Sequence, residues 1–361
     1  MNGPEELLPL LAALRSQQAG PARAALVTLT QTRGPTFRRT GTRMLVRADG
    51  SSVCALSGGC PQHDIVTRAM EVIADGQARQ VRYDHDSGLD VLMEMGCGGT
   101  LEVLIEPVDG TREPAWVTAL ANCLERRRPG RMATVYARDD KVLPPRHALW
   151  CEDSLLYDGI DDKTLLEAIR EHADAPSGQA FSTVIDNARG RFSVLVDPLI
   201  PPPALVVIGS SATARALLSP ALGLGWVVHL VDFDADRLRD VPVPEGTRKL
   251  VSHPDGLVAS LAPDAATSVV VMTHNLEKDA EYLAALQGIP LTYLGLLGAR
   301  ARVRRVLARA GIEEAAVHGP VGLDIGSESP AEIALSILAE ILATIRRRPG
   351  GPLRTTTGSF N

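Results

Sequence analysis

The chain of 361 residues exceeds the size at which a single hydrophobic core usually stops growing, so we expect at least two domains. With 45% hydrophobic and 22% charged residues, its composition argues against global disorder. The net charge of −6 and the pI near 5.8 supply no overall attraction to phosphates, which argues against nucleic acids and membranes as partners.

The first twenty residues predict an amphipathic helix rather than an export signal. They lack a basic start and a long apolar core, and the apolar positions recur at helical spacing. Elsewhere we find no charge-free apolar stretch of the roughly 18 residues that a membrane-spanning helix requires. The five cysteines, an odd number, are expected to be reduced thiols. We therefore expect a cytoplasmic protein. The helix face consists of Leu7, Leu8, Leu11 and Leu14.

Residues 1–198 predict a mixed α+β domain. Strands are indicated at 24–30 and 101–106, a hairpin at 43–56 and a helix at 63–75. A similar order recurs afterwards, which predicts an internal duplication with copies at 1–110 and 130–198. The second copy lacks the glycine-cysteine motifs of the first, so we expect it to serve as scaffold. Its elements are a strand at 133–137, a segment at 147–157, a helix at 162–172 and a hairpin at 181–196.

Two cysteines of the first copy lie inside glycine pairs, at 57–60 and 96–99. Such loops can present backbone N–H groups and a thiolate to an anionic ligand. We hypothesise that nearby arginines at 38, 39 and 43 favour the thiolate, which would bind metal or attack sulfur. The alternative is two tight turns with small buried cysteines. A structural zinc site is not favoured, because no paired C-x-x-C element is present. The candidate cofactor contacts are Gly58, Gly59, Cys60, Cys97, Gly98 and Gly99, with Cys60 and Cys97 also the candidate metal ligands.

A proline cluster predicts a hinge at 199–203, because proline blocks helix continuation and favours extended backbone. Beyond it, over 204–347, apolar strands alternate with helices, which predicts a Rossmann-like, doubly wound parallel sheet. The domain closes with a helix at 330–346, for which Ser329 is the predicted N-cap and Pro330 the first helical residue. Residues 348–361 are expected to form a flexible tail.

The loop after the first strand of this second domain contains an incomplete dinucleotide fingerprint. Gly209 supplies the first glycine, but Ser211 occupies the place where the second glycine admits the pyrophosphate. Asp232 ends the second strand, where an acidic residue binds ribose hydroxyls. We therefore predict weak binding of NAD(P) or another nucleotide. The candidate contacts are Gly209, Ser210, Ser211, Thr213 and Asp232.

Together these landmarks resemble the XdhC/CoxI family of maturation factors for xanthine and carbon monoxide dehydrogenases. The motifs that carry the resemblance lie at 41–46 with 57–60, 97–107, 272–275, 293–300 and 319–326 with its extension at 329–334. The resemblance spans nearly the whole chain, and it implies an α/β protein that binds molybdenum cofactor (molybdopterin). It also implies that the protein supports sulfuration of the cofactor with a cysteine desulfurase. Finally, it implies delivery of the cofactor into an apo molybdenum hydroxylase of the xanthine dehydrogenase type.

Carried over to this chain, the resemblance makes Cys60 and Cys97 the main cofactor contacts and the Gly209 loop the nucleotide site. His274, Arg300 and Asp324 are expected at the carboxyl edge of the parallel sheet, where open α/β sheets bind ligands. The alternative is a purely structural role, in which the glycine-rich segments only mark the ends of strands and His274 binds no ligand.

The chain departs from the family pattern in two places. Pro61-Gln62 follows the first glycine-cysteine motif, where the family has a small apolar residue and an acid. Ser211-Ala212 replaces the second glycine and the histidine of the nucleotide loop. Two other function classes therefore stay open: an NAD(P)-dependent oxidoreductase, and an interaction scaffold that has lost ligand binding. A cofactor chaperone is favoured over a catalyst, and the sequence leaves open whether the chain is a homo-oligomer.

Overall fold

A computed structural model describes residues 2–16, 23–34, 36–56, 60–84, 99–109, 113–172 and 179–355. The chain divides into two compact units, with the boundary between Pro201 and Pro202. Each unit is built around hydrophobic clusters of its own.

The first unit contains two antiparallel sheets, each of five strands in the part of the chain that the structure describes. The first sheet has the strand order β3-β2-β1-β5-β4, and the second has the order β8-β7-β6-β10-β9. The mixed α+β architecture predicted for this part of the chain is confirmed. The elements are α1 (Pro4–Ser16), β1 (Ala24–Arg33), β2 (Arg43–Arg47), β3 (Ser52–Val53), α2 (Cys60–Asp75), β4 (Arg79–Tyr83), β5 (Thr100–Val108), α3 (Ala115–Glu125), β6 (Gly130–Arg138), β7 (Lys141–Cys151), β8 (Ser154–Asp158), α4 (Lys163–His172), β9 (Phe181–Asn187) and β10 (Gly190–Leu199).

Each sheet buries one face against its own helix. The side chains of Ile65 and Ala69 on α2 pack on the first sheet, and those of Leu165 and Ile169 on α4 pack on the second. Side chains from the opposite faces of both sheets join α1 and α3 in one shared cluster. This arrangement follows from strand alternation, because successive side chains point to opposite faces and both faces are apolar here.

Helix α1 differs from its predicted apolar face at one position. Leu7, Leu11 and Leu14 are buried as predicted, but Leu8 is 45% exposed and Leu10 is buried instead. At about 100° per residue, Leu10 lies on the same side of the helix as Leu7 and Leu14, whereas Leu8 lies beyond the edge of that stripe.

The two sheets also share a local irregularity. The central strand of the first sheet has an extra residue, Thr30, relative to β5, and the central strand of the second has an extra residue, Tyr136, relative to β10. In both sheets a helix follows the third strand. A bulge at matching positions of two sheets with the same strand order supports the predicted duplication, which remains a proposal.

The strand register extends this similarity to two buried polar contacts between the sheets. Glu106 and Asp197 lie opposite Leu26 and Met132 of the central strands. His147 contacts Glu106 across the sheets at 3.0 Å (Nε2 to Oε2), and Arg43 forms an ion pair with Asp197. Arg43 and His147 in turn lie opposite Thr28 and Thr134. The two contacts are therefore reciprocal. One joins β7 of the second sheet to β5 of the first sheet, and the other joins β2 of the first sheet to β10 of the second sheet.

The second unit is a parallel sheet with helices, and its predicted Rossmann-like fold is confirmed. The described strands have the order β13-β12-β11-β14-β15. Strand order reverses between β11 and β14, which is the point where such sheets bind ligands. The elements are β11 (Ala204–Ile208), α5 (Ala212–Ala216), α6 (Leu218–Gly223), β12 (Val227–Asp232), α7 (Ala235–Arg239), β13 (Thr247–Val251), α8 (Pro254–Leu261), β14 (Thr267–Val271), α9 (Leu276–Leu286), β15 (Tyr293–Leu296), α10 (Arg300–Ala310) and α11 (Pro330–Ile345).

Helix α11 begins as predicted, with Pro330 as its first residue. The Ser329 side chain accepts a hydrogen bond from the Glu332 N–H, and the Glu332 carboxylate accepts one from the Ser329 N–H at 2.8 Å. This capping box satisfies N–H groups that a helix start otherwise leaves open. Among the helices of the described ranges, none has the length and apolar character needed to span a membrane.

Candidate functional site

Much of the candidate site in the first unit lies outside the described residues, namely Gly58, Gly59, Cys97 and Gly98. For Cys60 the structure gives the backbone only, as the first residue of α2. Gly99 is buried and directly precedes β5. The elements that flank the two motifs are α2, β4 and β5.

Those flanking elements meet at one end of the first sheet. The hydroxyl of Tyr83, the last residue of β4, donates to the Asp64 carboxylate at 2.7 Å, one turn into α2. Tyr83 in turn lies opposite Leu101, two residues after Gly99. The start of α2 and the start of β5 therefore share one end of the sheet.

The contact between β4 and α2 depends on the carboxylate of Asp64. This carboxylate also accepts a hydrogen bond from Arg68 at 2.7 Å. Burial raises the pKa of the Asp64 carboxyl, but hydrogen bonds from Arg68 and Tyr83 outweigh that effect and hold the pKa below its ordinary value. Burial, followed by the bond to Asp64, raises the pKa of Tyr83 well above its usual range. The phenol therefore stays a donor and the carboxylate an acceptor.

Gln62, which replaces the family's acidic residue, makes two contacts with residues that precede the first motif in the chain. Its carbonyl oxygen accepts a hydrogen bond from the Leu56 N–H at 3.2 Å, and its amide donates to the Met44 sulfur at 2.8 Å. A carboxylate could accept the first bond but could not donate the second. The glutamine thus ties the start of α2 to the residues that precede 57–59.

Two of the arginines expected to favour the cysteine thiolates are engaged elsewhere. The Arg38 guanidinium binds the Glu6 carboxylate at 2.6 and 3.1 Å, and Arg43 pairs with Asp197 inside the core. Their contacts fix α1 and the second sheet onto the first sheet.

In the second unit, Gly209 has a backbone conformation that glycine alone adopts without strain. Its φ is +118°, and an added Cβ would lie 2.5 Å from the Met272 carbonyl oxygen. The Gly209 N–H donates to the Val231 carbonyl at 2.7 Å. This glycine therefore serves the close approach of β11 to the segment after β14, and its N–H is already used.

The serines that follow are also engaged. Ser211 is the N-cap of α5 and accepts a hydrogen bond from Ala214 N–H at 3.3 Å. The Ser210 hydroxyl donates to Asp232 at 2.7 Å, and the Asp234 N–H donates to the other carboxylate oxygen of Asp232 at 3.1 Å. Asp232 is 2% exposed. To accept a ribose hydroxyl, this carboxylate would have to release a partner, which favours the prediction of weak nucleotide binding.

His274, Arg300 and Asp324 are exposed and lie in segments at the carboxyl ends of neighbouring strands. His274 follows β14 and has a left-handed backbone with φ +62°. Arg300 is the first residue of α10, and Thr213 is half-buried on α5. Asp324 follows a segment whose Val321 N–H donates to the carbonyl of Leu296 at the end of β15.

A buried aspartate that the sequence analysis missed holds two of these segments together. Asp279 of α9 is 0% exposed, and it accepts hydrogen bonds from the Thr273 N–H and hydroxyl at 3.0 and 2.6 Å. Its other oxygen accepts one from Arg302 at 2.6 Å, and Arg302 also donates to the Leu297 carbonyl at 3.2 Å. The loop that carries His274 is thereby joined to the start of α10, where Arg300 lies. The sequence feature that could have revealed Asp279 is its position on the apolar face of a predicted helix, beside Ala280 and Leu283.

A second missed residue, Glu340 of α11, anchors the glycine-rich segment after β15. Its carboxylate accepts hydrogen bonds from the Gly322 N–H at 2.7 Å, from the Tyr293 hydroxyl and from the His318 ring at 3.3 Å. Burial, and then the bond to Glu340, raises the pKa of Tyr293 far above its usual range. Within the residues that the structure describes, no cluster of three or more His, Cys, Asp or Glu side chains could hold a metal ion.

Two family models match the chain. One, described as the XdhC Rossmann domain, matches residues 205–341, and the other, described as the XdhC and CoxI family, matches residues 18–84. A relative from Bacillus subtilis (strain 168), named as a probable xanthine dehydrogenase component, is 25% identical over 327 residues, which cover 90% of this chain and 94% of that protein.

Two relatives come from Escherichia coli (strain K12). The molybdenum cofactor insertion chaperone PaoD is 27% identical over 331 residues, which cover 90% of this chain and 83% of that protein. The uncharacterized protein YqeB is 35% identical over 171 residues, 45% of this chain and 31% of that protein. A crystal structure from Bacillus halodurans, described as a xanthine dehydrogenase, superposes with a TM-score of 0.78 at 24% identity, covering 96% of this chain and 97% of that one. At that identity the likeness establishes the fold.

Proposed function

Because the chain belongs to the XdhC and CoxI family, we propose that it is an accessory protein that binds molybdenum cofactor and inserts it into a molybdenum hydroxylase. The observation that carries the proposal is the match over both units. A relative named as a molybdenum cofactor insertion chaperone aligns with 90% of the chain. The finer steps, sulfuration of the cofactor with a cysteine desulfurase and transfer to a client of the xanthine dehydrogenase type, belong to the same proposal.

In the first unit we assign cofactor contact to the two glycine-cysteine motifs. Support comes from their flanking elements, since the start of α2 and the start of β5 lie at one end of the first sheet. Thiolates are soft ligands of the kind that thiophilic metals prefer, and glycine-rich loops leave backbone N–H groups for anions. When bound, the cofactor supplies the molybdenum centre that the client enzyme needs. The role of this chain is to hold and orient it.

In the second unit we assign ligand contact to the carboxyl edge of the parallel sheet. The Asp279 network supports this, because it fixes the loops of His274 and Arg300 in a region that open α/β sheets use for binding. Arg300 offers a guanidinium suited to phosphate or carboxylate groups. An NAD(P)-dependent oxidoreductase is less well supported, since the Gly209 N–H and Asp232 already have protein partners. A cytoplasmic location, where reduced thiols persist, is part of the proposal.

Reconstitution of a client tests insertion and sulfuration separately. The chain, loaded with cofactor under anaerobic conditions, is mixed with an apo molybdenum hydroxylase, with or without a cysteine desulfurase and cysteine. We expect the hydroxylase to acquire molybdenum in both mixtures and to become active only with the desulfurase. If the hydroxylase gains no molybdenum from the loaded chain, insertion is ruled out. If it gains equal activity in both mixtures, the sulfuration step is ruled out.

A further inference from the structure

Two cysteines outside the glycine motifs lie side by side in the first unit. Cys123 is on α3 and Cys151 is the last residue of β7, and both belong to the same cluster of buried residues. Both are free thiols, and the Cys123 thiol also donates to the Arg128 carbonyl at 3.4 Å. Only cysteines that are close neighbours in the fold can form a disulfide without a large backbone movement.

A glycine makes room for this pair. Gly130 lies opposite Cys151 in the β6–β7 pairing. A Cβ at position 130 would lie 3.1 Å from the Cys123 sulfur and 3.4 Å from the Cys151 Cα, in addition to 2.4 Å from a backbone oxygen. Both cysteines therefore lie next to Gly130, at the point where any other residue would have its Cβ atom.

Access to the two thiols is unequal. Cys123 is 0% exposed, whereas Cys151 is 9% exposed and lines a cavity of about 460 Å³. The other residues lining the cavity are Arg126, Arg128, Glu152, Ser154 and Leu156. Arg128 pairs with Glu152 at 2.9 Å, and Arg126 adds a further positive charge. A small reagent with carboxylate groups would therefore meet Cys151 first, with favourable charge around it.

We propose that Cys123 and Cys151 form a redox site that closes to an intramolecular disulfide by exchange with a small anionic disulfide, such as glutathione disulfide. The Cys151 thiolate attacks one sulfur of the reagent, forms a mixed disulfide and releases one glutathione thiolate. Cys123 then loses its proton and attacks the Cys151 sulfur, which releases the second glutathione. The protein thiols are oxidised by two electrons, the reagent is reduced by two, and the two protons leave on the two glutathiones.

The order of the two attacks follows from the surroundings of Cys123. Burial, and then the hydrogen bond and charge of Cys151, raise the pKa of the Cys123 thiol to about 12. Cys151 is therefore the attacking thiol. Once Cys151 is in the mixed disulfide, its contribution to the raised pKa of Cys123 is gone but the effect of burial remains, so Cys123 resolves the adduct in a slower second step.

Mass spectrometry of the full chain after treatment with glutathione disulfide and alkylation tests the proposal. In the wild type we expect a peptide pair linked between Cys123 and Cys151. Cys123→Ser should instead stop at a glutathione adduct on Cys151, and Cys151→Ser should leave Cys123 as the free thiol. Circular dichroism of each variant checks that the fold is kept.

The charge of the cavity is tested with three reagents. Glutathione disulfide, neutral hydroxyethyl disulfide and cationic cystamine should react with Cys151 in that order of rate, and Arg126→Ser should reduce the advantage of the first. A stable adduct on Cys151 in the wild type, with no link to Cys123, would overturn the disulfide. Reaction only after addition of denaturant would overturn the site altogether.

Discussion

Gly209 stands at the end of the first strand of the parallel sheet, with a φ of +118° and the Met272 carbonyl against its Cα. An alanine there must accept a strained backbone and push aside a backbone oxygen. We expect Gly209→Ala to lower the free energy of unfolding by about 1–3 kcal/mol, measured by urea denaturation. Gly223 is the matched control, because it lies at the end of α6 with nothing within 4 Å of an added Cβ. If both substitutions have the same small effect, the close approach does not constrain position 209.

Asp64 predicts a pH dependence at the end of the first sheet. Its folded pKa is lowered, so its contribution to stability is present above the unfolded value of about 3.9 and is lost as the pH falls through the folded pKa. The advantage of the wild type over Asp64→Asn in thermal melting should therefore hold at pH 7 and shrink below pH ~4. Asp153→Asn, whose side chain is 85% exposed, should show no such advantage. A wild-type advantage that grows as the pH falls would have the wrong sign for this account.

The roles of some single residues could be predicted from the sequence, whereas those of others could not. Ser329 and Pro330 were predictable because helix starts have a local signature in the sequence. The contacts of Gln62 and Asp232 depend instead on residues that are distant in the chain or on the detailed loop path. Leu8 was misplaced because, at about 100° per residue, it lies beyond the edge of the stripe that Leu7, Leu10 and Leu14 form.

At the scale of elements, α9 joins two loops through one buried charge. Replacing Asp279 by Asn keeps the size of the side chain but removes the negative charge that faces Arg302. We expect Asp279→Asn to cost about 1–3 kcal/mol of unfolding free energy, since buried donors lose a good acceptor. Faster hydrogen exchange should be confined to residues 273–275 and 297–302.

The matched control for Asp279 is Glu281 on the same helix. Glu281 pairs with Lys278 at 2.7 Å and is 49% exposed, so Glu281→Gln should change stability by less than ~0.5 kcal/mol. Equal exchange rates in both loops of Asp279→Asn and the wild type would mean that Asp279 does not hold the edge of the sheet.

Most elements were predictable because strand alternation and helical spacing are local properties of the sequence. The parallel strands needed only their apolar runs, and the order of elements indicated the βαβ arrangement. The bulges at Thr30 and Tyr136 carry no such local sign, since they arise from pairing between strands. The carboxylate of Asp279 was likewise visible only as an acidic residue in an apolar helix face.

For the whole molecule, the resemblance of five ordered motifs predicted the family, and matches in both units confirm it. The fold class followed from the order of predicted strands and helices. The site residues stay predictions, because the two cysteines proposed to contact the cofactor lie in the motifs at 57–60 and 96–99, of which the structure describes little beyond the backbone of Cys60 and Gly99. The duplication and the scaffold role of its second copy also stay predictions, and the contacts of His147 with Glu106 and of Arg43 with Asp197 join the two sheets.

The most direct test of the account is the molybdenum and pterin content of the chain purified anaerobically from cells that make molybdenum cofactor. We expect both in the wild type, and loss of most of both in the Cys60→Ala/Cys97→Ala double variant. Cys54→Ala is the matched control, because burial, followed by the charge of Glu6, raises the pKa of that thiol to about 11 and keeps it protonated. It should retain the cofactor. A double variant that carries as much molybdenum and pterin as the wild type would contradict the central claim.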